Sequence, residues 1–234
     1  MINGITLTLG FVLATSQAQA PWDKIWANLG KNQGLSNETV VSGLKEALRV
    51  GSGNAVNLNG KVDGYFKNAA IKILMPEKLK PFEKGLRLAG QSRQVDEFVL
   101  SMNRAAEKAA PFAKDIFWGA IKRMTFSDAT GILKGGETAA TDYFRGATTD
   151  ELTNAFAPIV KESMDSVGVT RQYNALAGRY NALPFVKSQA FDLDRYVVDK
   201  ALDGLFYMLA EEERRIRTDP AARVTDLLRT VFGK

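Results

Sequence analysis

The sequence predicts an all-α protein, a single compact multi-helix domain of about eight to ten helices. Three observations carry that expectation. After Pro21 the apolar residues recur at 3.6-residue spacing, and the breaks between them hold helix-capping chemistry. No sustained period-two alternation, no Asn-Gly or Asp-Gly hairpin and no strand-helix-strand rhythm interrupts them.

Taken in order, Ser36 is placed to cap a helix with the stripe Val40, Leu44, Ala47 and Leu48, followed by a Gly/Asn-rich loop from Gly51 to Gly60. A shorter element covers Val62 to Leu74 and stops at Pro76. Leu79, Phe82, Leu86 and Ala89 form the next stripe, which ends at Gly90. Ser92 opens a helix with Val95, Phe98, Val99, Met102, Ala106 and Ala109 on one side, ended or kinked by Pro111. Phe112, Ile116, Ala120, Ile121 and Met124 make another stripe. A Ser127 cap and a short helix follow, up to Gly135-Gly136.

Thr148 and Glu151 have capping-box spacing, ahead of Leu152, Phe156, Ile159, Val160, Met164 and Val167, with Pro158 bending the helix and Gly168 stopping it. Tyr173, Leu176, Tyr180 and Leu183 follow. From Asp192 a long pattern runs through Tyr196, Val197, Ala201, Leu205, Met208, Leu209 and Ile216. Asp219-Pro220 closes it and starts a last helix on Val224, Leu227, Leu228, Val231 and Phe232.

Residues 1–20 read differently. They contain no Asp, Glu, Lys or Arg, and Ile5 to Ala14 is an apolar run that leads into small residues at Ser16, Ala18 and Ala20. This is the order of a secretory signal peptide, cleaved after Ala18 or Ala20, and the run is well short of the roughly 20 residues that span a membrane. The expected organisation is a signal peptide over 1–20, a linker or N-terminal segment over 21–35 and the helical domain over 36–234. The location that follows is periplasmic or secreted, with no transmembrane segment after processing.

With no cysteine and no histidine, the chain has no disulfides, no thiolate nucleophile, no Ser-His-Asp triad and no imidazole metal ligand. No catalytic residue, metal site or cofactor is assigned. Met102, Met124, Met164 and Met208 lie on helix stripes and read as core. Gly51 to Gly53 lacks the strand and third glycine of a dinucleotide fingerprint.

Charge is uneven. Residues 21–127 carry 17 basic and 10 acidic side chains, and residues 128–234 carry 14 and 16. Lys67, Lys72, Lys78, Lys80, Lys84 and Arg87 concentrate the excess and form a candidate anion-binding surface for anionic lipid, envelope polysaccharide or an acidic protein. An ordinary solvated lysine-rich face is the alternative. Nucleic acid is not expected in an exported chain.

Four polar positions stand out on apolar helices. Asn103 and Arg104 interrupt the Ser92 helix, while Asp199 and Asp203 are i,i+4 like charges, Asp203 within the apolar Leu202 to Leu209 stretch. An Arg104–Asp203 contact is the expected buried pair, one way of compensating an enclosed carboxylate. Glu211-Glu212-Glu213-Arg214-Arg215-Ile216-Arg217 reads as a solvated face self-paired as Glu211–Arg215 and Glu213–Arg217.

Several strings then resemble one family. They are Leu35-Ser36-Asn37 with Gly43 to Leu48, Phe98 to Glu107 (with Ser101-Met102-Asn103-Arg104-Ala105-Ala106-Glu107), Gly131 to Gly136, Ala201-Leu202-Asp203-Gly204-Leu205-Phe206 through Glu211-Glu212-Glu213, and Asp219-Pro220-Ala221-Ala222-Arg223. Together they resemble an uncharacterised exported bacterial family catalogued as a domain of unknown function, over roughly Leu35 to Gly233. The resemblance implies export and a single domain, and supplies no activity. The function expected is a periplasmic binding or interaction module using the basic surface or an apolar groove between helices. The alternative is a carboxylate-dependent hydrolase-type enzyme working through Asp199, Asp203 or Glu107.

Overall fold

The computed structural model describes residues 36–166, 171, 191–222 and 225. Among them the fold is all-helical, with no strand. In chain order the helices are α1 (Asn37–Gly60), α2 (Lys80–Leu88), α3 (Ser92–Ala109), α4 (Ala113–Arg123), α5 (Phe126–Lys134), α6 (Ala139–Asp165) and α7 (Leu193–Thr218). Short 3-10 turns cover Glu77–Leu79, Ala110–Phe112 and Pro220–Ala222. Seven α-helices lie among the described residues, where eight to ten were expected of the whole domain, and three stretches differ from their expected structure.

First, Gly51 to Gly60 is the second half of α1 and not a loop. Ser36 caps α1 as expected, its Oγ accepting from the Thr39 N–H at 3.1 Å, and the Val40, Leu44, Ala47, Leu48 stripe is buried. The stripe continues through Gly51, Ala55, Val56 and Asn59 because α7 packs along it. A Cβ at Gly51 would lie 3.2 Å from Ile216 Cδ1, so glycine lets the two helices approach. Tertiary packing outweighs the roughly 1 kcal/mol that each interior glycine costs a helix.

Second, Val62 to Leu74 is not helical but a series of turns and irregular chain. Asp63 has φ 67°, and Glu107 of α3 takes two amides just beyond it, its Oε1 accepting from the N–H of Tyr65 and of Phe66, each at 3.1 Å. Farther on, Asn103 serves Ile73 as a neighbouring strand would. Its Oδ1 accepts from Ile73 N–H at 2.9 Å and its Nδ2 donates to Ile73 O at 2.8 Å. Ile71, Ile73 and Met75 point inward, while Lys72 and Leu74 between them face outward.

Third, the Thr148–Glu151 box does not start a helix. Both residues lie inside α6, where Thr148 is buried and donates to Phe144 O at 2.6 Å, an i−4 bond that a helical threonine makes readily. The stripe behind it holds: Leu152, Phe156, Val160 and Met164 are fully enclosed, and Pro158 lies within the helix.

Two registers also differ. On α4 it is Ala113, Phe117, Ala120 and Ile121 that are buried, while Phe112 is exposed. The cap of α5 is Thr125, not Ser127: Thr125 and Asp128 form a reciprocal capping box, with Asp128 Oδ2 accepting from Thr125 N–H at 2.9 Å and Thr125 Oγ1 from Asp128 N–H at 3.1 Å. The bonds from the Thr125 N–H and hydroxyl hold the Asp128 carboxyl below the usual range.

Helices α6 and α7 pack against each other, α1 against α7, and α3 against α6. Phe117 stacks edge-on against Phe144 (4.9 Å between centroids) and Phe206 (6.2 Å), which ties α4, α6 and α7 into one core. No helix among the described residues is long and apolar enough to cross a membrane. The expected signal peptide, the Tyr173 to Leu183 stripe and the Val224 to Phe232 stripe lie outside the described residues.

Candidate functional site

The irregular 62–78 segment lies against the first half of α7, and the seam between them is open. Its anchors are internal. Tyr65 is fully buried, its hydroxyl donating to Ala201 O at 2.6 Å and accepting from Asn59 Nδ2 at 3.1 Å. Burial pushes its phenol well above the usual range, so the hydroxyl stays a donor. Near the other end, the Tyr196 hydroxyl of α7 donates to Leu74 O at 3.0 Å, and desolvation again raises that phenol.

Held this way, the outward side chains of the segment line two adjoining cavities. One, of about 470 Å³, is lined by Lys72, Leu74, Pro76, Lys78, Phe191, Tyr196 and Lys200, among others. The second, of about 310 Å³, is lined by Ala70, Ile71, Lys72, Lys200, Asp203, Gly204 and Tyr207. Leu74 is 60% and Tyr207 43% exposed, so the apolar surface here is open to a ligand. Phe191 and Tyr196 pack with ring centroids 5.6 Å apart.

The expected anion-binding surface is divided by this geometry. Lys67 pairs with Asp63 at 2.7 Å, Lys80 with Glu77 at 2.6 Å, and Arg87 with both Glu83 and Asp96 at 2.9 Å. Lys84 is exposed on α2, outside both cavities. Lys72 and Lys78 differ, for neither forms an ion pair among the described residues. Lys72 Nζ sits 4.2 Å from the Phe66 ring centre and Lys78 Nζ 5.8 Å from that of Phe191. Lys200 joins them from α7, its pKa raised by the hydrogen bond to Asp203.

Arg104 and Asp203 are not brought together. Arg104 Nη1 donates to Glu107 Oε2 at 2.5 Å and Nη2 to Asp63 Oδ1 at 2.7 Å. Asp203 is exposed and pairs with Lys200 at 2.9 Å and Arg145 at 3.9 Å. It escapes burial because Leu202 and Leu205, not Asp203, face the core of α7. Asp199 pairs with Arg195 at 2.9 Å. Asn103 is fully buried and holds Ile73. The carboxylates of the enzymatic alternative, Asp199, Asp203 and Glu107, therefore each have their own basic or backbone partners. Among the described residues no cluster of three or more acidic side chains is placed to hold a metal ion.

The acidic run of α7 departs from the solvated face expected of it. Glu213 and Arg217 do pair, at 2.5 Å, but both are buried, as is Glu212. Glu212 pairs with Arg215 at 2.6 Å and accepts from Asn54 Nδ2 of α1 at 2.9 Å, and Glu211 pairs with Arg214 rather than Arg215. Glu213 caps another helix. Its Oε1 accepts from Ala140 N–H at 3.0 Å and its Oε2 from Thr141 N–H and Oγ1, each at 2.9 Å, supplying the N-terminus of α6 with the cap that Thr138 does not provide. The apolar gap beside it, between α1, α5, α6 and α7, measures about 30 Å³, room for about one water. This pair is architectural, and the open seam is the candidate site.

Sequence reasoning missed Lys200, Tyr196, Phe191 and Leu74 as site residues. The readable signal was the Ile71, Ile73, Met75 alternation, which puts Lys72 and Leu74 on one outward face. No curated protein and no solved structure matches the chain. Residues 34–233 match the model of the family described as "Protein of unknown function (DUF4197)", and the chain belongs to that family.

Proposed function

We propose that this chain is an exported binding module that takes an anionic lipid in the seam between residues 70–78 and α7. The supporting observation is the cavity of about 470 Å³, in which Lys72, Lys78 and Lys200 rim a surface of Leu74, Pro76, Phe191 and Tyr196. Its size lies within the roughly 300–1,000 Å³ of small-molecule sites, and its make-up joins walls of leucine, methionine, proline and aromatic rings to charged groups at the rim. Cations on an apolar rim suit a molecule with an acidic head and an oily body. The uncharged leader with small residues at Ser16, Ala18 and Ala20 supports the compartment.

The test is co-sedimentation with vesicles of phosphatidylcholine and phosphatidylglycerol. Each lysine near an anionic surface contributes about 1 kcal/mol, so Lys72→Gln with Lys78→Gln is expected to weaken binding by roughly thirtyfold. Lys84→Gln, at an exposed position outside the cavities, is expected to cost less than about twofold, well under the per-charge loss of the seam lysines. A loss from Lys84→Gln as large per charge as that of the double variant, about fivefold, would reduce the seam to general surface charge and sink the proposal.

A further inference from the structure

We infer that Lys72 and Lys200 form the headgroup subsite of this seam, built for the acidic group of a lipid whose body lies along Leu74, Pro76 and Tyr196. The inference rests on the seam being the ligand face, and adds where the acid sits. Lys72 and Lys200 line both cavities, so they stand where the two meet. The larger cavity, on one side of them, carries the exposed leucine and the Phe191–Tyr196 pair. The smaller one, on the other side, holds Asp203.

Asp203 marks the subsite, because its Oδ2 already lies 2.9 Å from Lys200 Nζ. That carboxylate is weakly held, since the side chains of Lys200 and Asp203 are 46% and 56% exposed and such pairs contribute little. It also has a second cation within reach. Arg145 Nη1 is 3.9 Å from Asp203 Oδ1, and its guanidinium is held 4.5 Å over the Phe206 ring. An incoming acid can therefore displace Asp203 from Lys200 with no charge left alone: Lys200 keeps an anion and Asp203 keeps Arg145. Glu77, the other acid lining the seam, is engaged by Lys80 at 2.6 Å, so Lys72, Lys78 and Lys200 present a net positive rim. Asp203 is in this sense a resident competitor for the ligand's headgroup.

Calorimetry on the full chain reads this directly, with monomeric dodecyl phosphate as the probe. One site per chain is expected, Asp203→Asn should tighten it by about fivefold as the competing ion pair is removed, and Lys200→Gln should weaken it by a similar factor. Asp199→Asn makes the same charge change one turn away, where Arg195 holds the carboxylate, and should leave affinity unchanged. Inorganic phosphate, which lacks the chain, should bind far more weakly. No tightening in Asp203→Asn, equal tightening in Asp199→Asn, or inorganic phosphate matching dodecyl phosphate would each overturn the subsite. If vesicle binding depends on Lys72 and Lys78 while Asp203→Asn fails to tighten dodecyl phosphate, the subsite falls and the seam stands. Vesicle binding indifferent to Lys72 and Lys78 removes the seam itself.

Discussion

Replacing Glu213 by alanine is expected to destabilise the fold by about 3–5 kcal/mol, the cost typical of breaking a buried ion pair from one side. The loss has two sources. Ala140 N–H and Thr141 N–H, the orphaned donors at the start of α6, lose their acceptor in a place water reaches poorly. Arg217, whose side chain is 6% exposed, loses the carboxylate it meets through both Nε and Nη2. A domain of this size has only about 5–15 kcal/mol in hand, so urea unfolding should show a large fall in midpoint. Replacing Glu213 and Arg217 together by apolar residues should recover part of the loss, because no buried guanidinium is then left without its carboxylate. A change below about 1 kcal/mol in Glu213→Ala would place the pair at the level of an exposed bridge and contradict the architecture described for α6 and α7.

Gly204→Ala is expected to destabilise by about 1–3 kcal/mol, the range for overpacking a filled core. A Cβ there would lie 2.5 Å from Tyr65 Cε1 and 3.1 Å from Ile71 Cβ. Tyr65 cannot turn aside, because its hydroxyl, its ring and its backbone N–H are all engaged, by Ala201 O, the core and Glu107. The sign is informative. In an uncrowded helix interior alanine is better than glycine by about 0.5–1 kcal/mol. Gly53 in α1 has no atom within 4 Å of its built Cβ, so Gly53→Ala is the control and should stabilise. Thermal melts of the two variants moving in opposite directions would confirm that the 62–78 segment is seated on α7 through Tyr65.

Helices with an unbroken stripe were legible in the sequence. Ser36 with Val40 and Leu44, the face of α3, the back half of α6 and the Asp192 start of α7 all lie where spacing puts them. Local chemistry misled where it was ambiguous. Threonine followed three residues later by glutamate is a cap at a helix start, whereas in mid-helix the threonine bonds back to the preceding turn, and the Glu213 cap on Ala140 and Thr141 sets the start of α6 upstream of Thr148. Gly51 in α1 read as the start of a break because its reason for being there, the approach of Ile216, is 165 residues away in the chain.

Charges were the other blind spot. Leu205, Leu209, Glu213 and Arg217 stand at i,i+4 intervals, so the buried stripe runs straight into the ion pair, and Val95, Val99, Asn103 and Glu107 repeat the arrangement on α3. Charge type suggested solvent, and position on the stripe suggested burial. Position wins here because each carboxylate finds two backbone N–H groups and an arginine. The candidate site was half legible. Lys72 and Lys78 were identified from composition and Leu74 shares the outward face of Lys72, while Lys200, Tyr196 and Phe191 needed the fold that brings them alongside.

The most direct measurement is an amide-resolved NMR titration of the isotope-labelled chain with monomeric dodecyl phosphate. Shift changes concentrated on residues 70–78, Tyr196, Lys200, Asp203 and Tyr207, saturating at one ligand per chain, are the predicted result. Changes centred on the α1–α5–α6–α7 gap, or spread evenly over the exposed lysines without saturation, would contradict the assignment of the seam as the ligand site.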